Sequence, residues 1–301
     1  MNLDPRLLRI LLAVAREGSF SRAAASLNMT QPSVSIAISQ LEDRVGEQVV
    51  TRERRGAALT LAGETLVRHA QSIENVLATA GRELSRQRDR VEGPLTIGGT
   101  TGALFSIVPR VTGMLHAEGV ALDLSVMEAK DEDLPALLRR RIVELVLCAG
   151  SPLGTPADIE EFEIAREPFV LVAGPTTDLP AQGLTVEQAS AFPWVLPLVE
   201  GATRRHLEAV FIAADVPLPR NIVRCDMLAT MKEVVRQTRC VALLPLPVVE
   251  AELESGLMRT VPLAGGPAPR RLVGQKIIGE PGSPMARRFL EVALRLADGH
   301  R

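Results

Sequence analysis

Two short helical segments joined by a tight turn constrain the fold of this chain more than any other feature. Residues 22–27 predict a small alanine-rich helix capped by Ser19 or Ser21, and a longer helix follows the turn Asn28-Met29-Thr30 and runs to about residue 44. An apolar helical repeat at residues 7–15 precedes both. Because so short a turn holds consecutive helices close together, residues 1–60 are expected to form a helix-turn-helix.

The helix after the turn has two faces of different chemistry. Its apolar face carries Val34, Ala37, Ile38, Leu41 and Val45, and its opposite face carries Gln31, Ser33, Ser35, Ile36, Ser39 and Gln40. Amides and hydroxyls suit the edges of DNA bases, and an isoleucine can touch a thymine methyl group. This face therefore predicts a DNA recognition helix. The alternative is a plain polar helix in a small bundle.

A short arginine-rich hairpin is predicted after this helix. Residues 47–52 predict one strand and residues 57–59 its partner, with Arg52, Arg54 and Arg55 near the tip. Arginines in a wing of this kind meet phosphate oxygens, which hold a protein on DNA irrespective of base sequence. The formal net charge is −2, but residues 1–92 hold 13 arginines against 11 acidic residues, a mild asymmetry in the same direction. The alternative is a solvated hairpin with ordinary surface charge.

The order and spacing of these residues resemble the LysR-type family of transcriptional regulators. The matching residues are Ser21-Arg22-Ala23-Ala24, Leu27, residues 30–35, Ile38, Leu41-Glu42, Gly46, Arg52 and residues 59–63. The resemblance implies a winged helix-turn-helix on double-stranded DNA, with contacts from Ser21, Thr30, Gln31, Pro32, Ser33, Ser35, Ile36, Ser39, Arg52, Arg54 and Arg55. Val49-Val50 replaces the usual Leu-Phe, and Ile36 often corresponds to a polar or basic residue, which leaves the DNA sequence open.

A long helix with a heptad seam is predicted next. Leu66, Ala70, Ile73, Leu77, Ala80 and Leu84 are spaced 4, 3, 4, 3 and 4 residues apart. Two helices wrap around each other at this spacing, so residues 61–93 are expected to form a dimerisation helix and a hinge ending at Gly93-Pro94. The alternative is a helix packed on its own domain. The resemblance implies a homodimer, with dimers often pairing into homotetramers, and a contact with RNA polymerase if the protein is an activator.

Residues 94–301 alternate short apolar strands with amphipathic helices, which indicates an α/β domain with largely parallel sheets. Strands are predicted at 95–99, 122–127, 143–148, 169–173, 194–197, 222–225, 241–244 and 271–280, and helices at 105–118, 134–141, 204–214, 227–237, 246–254 and 284–297. We expect two lobes, lobe I at about 94–165 and 264–301 and lobe II at about 166–263. The domain resembles the LysR effector domain, itself similar to periplasmic solute-binding proteins.

Two helix starts in this domain share a chemistry that suits an anion. Thr100-Thr101 follows the first strand, and Gly201-Ala202-Thr203-Arg204 opens a helix of lobe II. Free backbone N–H groups, hydroxyls and an arginine favour a carboxylate, so a small organic acid bound between the lobes is the expected effector. The segment Cys225-Asp226-Met227 is expected at the cleft floor and Glu128 at its rim. The alternative is that the threonines only cap helices and Arg204 is a surface charge.

Composition and motifs argue against other functions. Cys148, Cys225 and Cys240 are far apart and form no Cys/His cluster, so no metal or cofactor is expected, and buried thiols are favoured over a redox switch. No stretch approaches the length of a membrane span, and the cytoplasm is the expected compartment. A solute-binding transport protein would not need the first sixty residues. An enzyme would need a nucleophile or metal site, and neither is evident in the sequence.

Overall fold

The computed structural model describes residues 3–53, 56–86, 92–151, 154–180, 182–198 and 201–298. The chain divides into two compact units, the first formed by Met1–Asp89 with Arg139–Ile142 and the second by Arg90–Leu138 with Val143–Arg301. Each unit has a hydrophobic core of its own.

The first unit is a winged helix-turn-helix followed by a long helix. Its elements are α1 (Pro5–Glu17), α2 (Phe20–Ser26), α3 (Gln31–Val45), β1 (Val50–Glu53), β2 (Gly56–Leu59) and α4 (Leu61–Arg86). The Asp4 carboxylate caps α1 by accepting from the Arg6 N–H at 2.9 Å, and the Thr30 hydroxyl caps α3 by accepting from the Ser33 N–H at 3.4 Å. These bonds satisfy donors at the helix ends and fix where each helix begins.

The turn between α2 and α3 has the tight geometry that its sequence predicts. Asn28 adopts a left-handed conformation with φ of 52°, and the Met29 N–H bonds the Ala24 carbonyl at 2.8 Å. α2 begins two residues earlier than expected, at Phe20, with Ser19 at its N-cap position. The three helices then enclose a common core that includes the fully buried Leu11 and Leu41.

The wing begins later than the sequence predicts. β1 and β2 pair antiparallel with Val50 opposite Leu59, whereas residues 47–49 precede the strand. The reason lies in the Glu42 carboxylate, which accepts from the N–H groups of Val49 and Val50 at 2.9 and 3.3 Å. These bonds tie the segment to α3 before strand pairing starts.

α4 uses its heptad seam in two different ways. Leu66 and Ala70 are buried in the core of the first unit, where α4 packs against α1. Ile73 and Leu77, further along the seam, are 37% and 65% exposed. Ala80 is exposed as well, and the side chain of Leu84 lies outside the described part of the chain. The first part of the seam therefore belongs to the unit's own core, which differs from the prediction of a seam open along its whole length.

The second unit contains two five-stranded sheets with helices packed on them. Its elements are β3 (Glu92–Gly99), α5 (Thr101–Ala117), β4 (Leu122–Glu128), α6 (Leu134–Arg139), β5 (Leu145–Ala149), β6 (Ile159–Glu167), β7 (Phe169–Ala173), β8 (Leu184–Thr185), α7 (Val186–Ser190), β9 (Trp194–Leu196), α8 (Ala202–Ala213), β10 (Ile222–Arg224), α9 (Leu228–Gln237), β11 (Val241–Pro245), α10 (Leu246–Glu254), β12 (Arg259–Val261), β13 (Leu263–Ala264), β14 (Arg270–Ile277) and α11 (Pro284–Asp298).

Each sheet defines one lobe of this unit. Lobe I has the strand order β4-β3-β5-β14-β6, and lobe II has the order β10-β9-β11-β7-β12. In each sheet one strand, β14 or β7, runs antiparallel to both of its neighbours, and the other pairings are parallel. These two strands are the ones that the chain forms on arriving from the other lobe. The predicted largely parallel sheets are confirmed.

The chain passes between the lobes at two places that lie close to the predicted ones. It leaves lobe I between β6 and β7, after Glu167, and returns at β14, which begins at Arg270. The sequence places the first passage near Ala165, but this residue lies inside β6, a strand that the sequence does not predict. β6 and β14 are neighbours in lobe I, so both passages start from adjacent strands.

Candidate functional site

The outward face of α3 carries the polar residues that the sequence assigns to DNA contacts. Gln31, Pro32, Ser33, Ile36 and Ser39 are exposed, with Ile36 at 58%, and Ser35 is half-buried. The opposite face, with Val34, Ala37, Ile38 and Leu41, is buried in the core. The structure therefore brings together a charge-poor, outward-facing surface on a helix that cannot rotate without breaking the core.

The remaining predicted DNA contacts lie around this helix. Ser21 is exposed on α2, and Thr30, also exposed, hydrogen-bonds the Ser33 hydroxyl at 2.8 Å. Arg52 lies in β1 opposite Ala57. Arg54 and Arg55 lie outside the described residues.

A cavity of about 430 Å³ lies between the two lobes of the second unit. It is reached by the carboxyl ends of the parallel strands: Thr100 follows β3, Glu128 ends β4, and Asp226 lies just beyond β10. Ligands of open α/β sheets collect at such ends because loops and helix N-termini converge there. Of the residues predicted to contact an effector, the cavity wall contains Thr100, Thr101, Glu128, Gly201, Thr203 and Arg204.

The N-terminus of α5 supplies free backbone donors to the cavity. Thr100 is the N-cap residue, and its own N–H donates to the Leu147 carbonyl at 3.1 Å. The N–H groups of Thr101 and Gly102 have no acceptor among the residues that the structure describes. The Thr101 hydroxyl, however, donates to the Glu128 carboxylate, so it contributes less to an anion than the sequence suggests. What remains is a pair of N–H groups at the positive end of a helix dipole.

Arg270, which the sequence analysis missed, faces these donors. Its guanidinium Nη1 and Nη2 lie 3.1 and 3.2 Å from the position that a Cβ on Gly102 would take, so a side chain at this position would crowd the guanidinium. Nε and Nη2 donate to one oxygen of Glu167 at 2.9 and 2.6 Å, and the two side chains are 6% and 4% exposed. Nη1 has no acceptor within the described part of the chain. A buried guanidinium with a free edge thus lines the cavity beside the α5 N-terminus.

A sequence signal for Arg270 did exist. Arg270 and Arg271 are adjacent in a strand, and successive strand residues face opposite sides. One of the two must therefore point inward and need a buried acidic partner, although the sequence does not say which.

The N-terminus of α8, the second predicted anion site, lies beside a carboxylate of the protein itself, and its arginine is already hydrogen-bonded. The Asp131 carboxylate of lobe I reaches to 3.0 Å from the Cβ position of Gly201, the N-cap residue of α8. Arg204 donates through Nε to Glu208 at 2.8 Å and through Nη1 to the Leu198 carbonyl at 2.9 Å. Ala202 opens the helix, but its side chain lies outside the described ones. A carboxylate of the protein itself thus lies beside the helix start at which the sequence predicts a ligand's carboxylate.

Of the segment Cys225-Asp226-Met227 that the sequence predicts at the floor of the cavity, Asp226 lines it, whereas Cys225 and Met227 do not. Cys225 is turned away, its thiol towards the Met227 carbonyl at 3.6 Å, and the Met227 side chain is 69% exposed. Residues 225–227 lie between the end of β10 and the start of α9, and the Asp226 side chain is the one of the three that faces the cavity.

Lobe II contributes an aliphatic part of the wall, and lobe I adds Ala129 and Lys130. The aliphatic part consists of Pro197, Leu207, Leu228, Met231, Leu243, Leu244, Pro245 and Val248. These residues belong to α8, α9, β11, α10 and the loop after β9. The cavity therefore combines one polar end with an apolar side, rather than the mainly polar contacts that the sequence predicts.

Other kinds of site find little support. Within the described ranges no group of three or more His, Cys, Asp or Glu side chains could hold a metal ion. No described helix is both long enough and apolar enough to cross a membrane. Burial, with smaller effects from Asp131 and Glu161, raises the pKa of the Cys148 thiol to about 12.

The chain matches two family models, and together they span most of its length. The model described as bacterial regulatory helix-turn-helix protein, lysR family, matches residues 5–64, and the LysR substrate binding domain matches residues 88–298. The HTH-type transcriptional regulator CfxR of Cupriavidus necator is 30% identical over 269 residues, which cover 89% of this chain and 84% of CfxR.

Solved structures share the fold over almost the whole chain. ArgP from Mycobacterium tuberculosis superposes with a TM-score of 0.72 at 20% identity, covering 99% of this chain and 98% of ArgP. Full-length LysG from Corynebacterium glutamicum, solved with bound effector Arg, gives a TM-score of 0.67 at 23% identity and covers 99% of both chains. At these identities the likeness concerns the fold alone. The two family matches and the relationship to CfxR go further, and they establish that the chain belongs to the LysR family of transcriptional regulators, with an N-terminal helix-turn-helix and a C-terminal effector-binding domain.

Proposed function

We propose that this regulator binds an inverted-repeat DNA site as a dimer and responds to a small organic acid held between the lobes of its second unit. The observation that carries the proposal is the convergence of Arg270 and the α5 N-terminus on one cavity. In this proposal residues 1–60 bind DNA, residues 61–93 pair the subunits and residues 94–301 bind the effector. Because its partner is DNA, the protein acts in the cytoplasm.

α3 is the proposed recognition helix. Its exposed Gln31 can pair with adenine, Ser33 and Ser39 with several base edges, and Ile36 with a thymine methyl group. The buried opposite face holds this surface in a fixed orientation for the major groove. Arg54 and Arg55 in the wing bind phosphates irrespective of the DNA sequence.

The open part of the α4 seam is the proposed dimer contact. Ile73 and Leu77 expose apolar surface on a helix whose preceding turns are already packed, and pairing with a second α4 would remove that surface from water. A two-fold dimer then presents two α3 helices to successive major grooves. Dimers pair further into tetramers, and if the protein is an activator it contacts RNA polymerase.

A carboxylate suits the polar end of the cavity. Two backbone N–H groups and the free edge of Arg270 can each donate to it, and charge-assisted bonds of this kind are about twice as strong as neutral ones. A ligand that binds one arrangement of the lobes better than another shifts the population between them, and this changes how bound DNA is held.

The test uses the double variant Glu167→Gln/Arg270→Gln in the full-length protein, because two amides can replace the buried ion pair without leaving a charge. A panel of organic acids is screened by thermal unfolding, in which a bound acid raises Tm by mass action. Acids that stabilise the wild type should have no effect on the double variant. Arg166→Gln removes an exposed arginine next to Glu167 and should keep the response. An acid response that survives in the double variant would overturn the proposal.

A further inference from the structure

We propose that the cavity takes a carboxylate with a single negative charge and an aliphatic or aromatic body, and that it rejects dicarboxylates and phosphorylated compounds. This inference rests on the proposed acid effector and names its chemical class. It follows from three features of the cavity wall: one anion site that is open, a second that is already filled, and an apolar side between them.

The open anion site is the end formed by α5 and Arg270. The Arg270 side chain is 94% buried, Nη1 lacks an acceptor among the described residues, and it lies against the first turn of α5 at Gly102. A guanidinium and two helix-terminal N–H groups match the two oxygens of one carboxylate. Because Glu167 already balances the charge of Arg270, this end offers directed donors and little excess positive charge, which suits an anion of one charge.

We take the second site, at the start of α8, to be filled by Asp131, because an oxygen of its carboxylate lies 3.0 Å from the Cβ position of Gly201, the N-cap residue. This places a negative charge of the protein beside the first helical turn, where a ligand anion would otherwise bind. Arg204 is held by Glu208 and the Leu198 carbonyl. Glu128 and Asp226 add two more carboxylates to the same wall. Among the cations of this wall, Arg204 and Arg270 are paired with Glu208 and Glu167, and Lys130 lies 4.0 Å from Glu132. A second negative charge on a ligand would therefore meet repulsion and find its helix terminus occupied.

The apolar side sets the nature of the ligand's body. Leu228, Met231, Leu243, Leu244 and Val248 form a continuous aliphatic wall on lobe II. Hydroxylated or phosphorylated bodies would lose hydration against this wall without gaining hydrogen bonds, which costs free energy. A hydrocarbon chain or ring gains about 25 cal/mol for each Å² of apolar surface removed from water. The cavity volume of about 430 Å³ falls in the range of small-molecule sites.

The experiment is calorimetric titration of the full-length protein with a matched series. 3-Phenylpropanoate carries one charge and an apolar body, its amide lacks the charge, propanoate lacks the body, and phenylsuccinate adds a second carboxylate. We expect 3-phenylpropanoate to bind at least about tenfold more tightly than each of the other three. Equal or tighter binding of phenylsuccinate would overturn the inference.

Two substitutions and one control test the second anion site and the apolar wall separately. Asp131→Asn should free the α8 N-terminus and raise the affinity for phenylsuccinate about tenfold, with little change for 3-phenylpropanoate, and Glu132→Gln is the exposed neighbour that serves as control. Leu228→Asn, at a half-buried position, should weaken 3-phenylpropanoate and leave propanoate unchanged. An Asp131→Asn protein that still rejects phenylsuccinate would show that Asp131 does not block the second site.

The two levels of the proposal fail differently. If phenylsuccinate binds the wild type at least as tightly as 3-phenylpropanoate and this binding is lost in Glu167→Gln/Arg270→Gln, the acid effector stands and the single-charge class is wrong. If no anion of the series binds, both the effector proposal and its class fall.

Discussion

Arg270 and Glu167 join two segments that are 103 residues apart, at the place where the chain passes between the lobes. Their side chains are almost fully buried, so neither charge has water to compensate for a lost partner. Removing one member of such a pair costs far more than removing both, because the survivor stays buried and unpaired.

We therefore expect Glu167→Gln alone to lower the free energy of unfolding by about 3–5 kcal/mol. The double variant Glu167→Gln/Arg270→Gln should recover much of that loss. Urea unfolding of the full-length protein followed by circular dichroism measures both. A single variant as stable as the double variant would contradict the assigned role of the pair.

In the proposed DNA-binding surface, the contributions of base recognition and of phosphate binding should be separable by substituting single residues. Gln31→Ala is expected to cost about 1–3 kcal/mol on a selected cognate site and little on random DNA. Arg54→Ala should weaken both alike and lower the salt slope by about one. Fluorescence anisotropy at several salt concentrations distinguishes the two patterns. Identical behaviour of both variants on random DNA would contradict the assignment of helix and wing.

Cys148 gives a residue-scale prediction with a defined pH dependence. Burial, then Asp131 and Glu161, raise its thiol pKa to about 12, so the reactive thiolate is absent near neutral pH and forms only as pH approaches 12. Iodoacetamide at pH 8 should leave Cys148 unmodified in the folded protein, as measured by peptide mass spectrometry. Urea-unfolded protein is the control in which the same thiol should react. Rapid alkylation in the folded state would contradict this environment.

Among the elements, α4 has two roles that the heptad spacing does not distinguish. Leu66 is 8% exposed and packs in the core of the first unit, whereas Leu77 is 65% exposed. Both satisfy the same spacing, and only the position of α1 decides which seam residues are covered.

A charged substitution should therefore affect subunit association at one end of the seam and the thermal stability of the subunit at the other. Leu77→Asp should leave Tm nearly unchanged at low protein concentration but shift sedimentation to smaller species, since an apolar contact between subunits is lost. Leu66→Asp should lower Tm sharply, because the charge enters a core. His69→Asp, at an exposed position off the seam, is the control for both. A Leu77→Asp protein that remains dimeric would remove the seam from the interface.

Elements with an apolar pattern within their own segment are predictable from the sequence. A strand whose charges are compensated by a neighbouring strand is not. β7 and α10 coincide with residues 169–173 and 246–254, since each has an apolar pattern of its own. β6 was missed because its nine residues include four glutamates. On the neighbouring β14, Arg271 and Lys276 pair with Glu161 and Glu160 at 3.4 and 3.2 Å. Such cross-strand compensation becomes visible only when the strands are side by side.

At the scale of the whole molecule, the location of the cleft was predictable and its electrostatics were not. Strand ends such as Thr100 and Glu128 could be placed by topology, because parallel strands end at the same edge. Arg270 and Asp131 reach the cleft from distant segments, and no local pattern connects them to the helix termini they face. Arg270 lies beside the α5 N-terminus and strengthens the expectation of an anion site there, whereas Asp131 lies beside the α8 N-terminus and reverses that expectation.

The assembled dimer leads to a prediction about its binding site. Two-fold pairing through α4 should give a footprint of two inverted half-sites whose centres are separated by about one helical turn, or a multiple of it. Hydroxyl-radical footprinting on DNA selected from a random pool measures this spacing. The Leu77→Asp protein should lose the paired pattern. A single asymmetric half-site protected by the wild type would be incompatible with a two-fold dimer.

The anchor and the apolar wall that we propose for an acid effector are carried by different parts of the chain. Arg270 begins β14 and Glu167 ends β6, where the chain passes between the lobes, while Leu228 and Met231 lie on a helix of lobe II. Under the proposed function, effector preference can therefore diverge between descendant proteins through single aliphatic substitutions, while the Arg270–Glu167 pair stays intact. Selection for a new effector can then act on the aliphatic residues of α9 without changing the residues that bind the carboxylate.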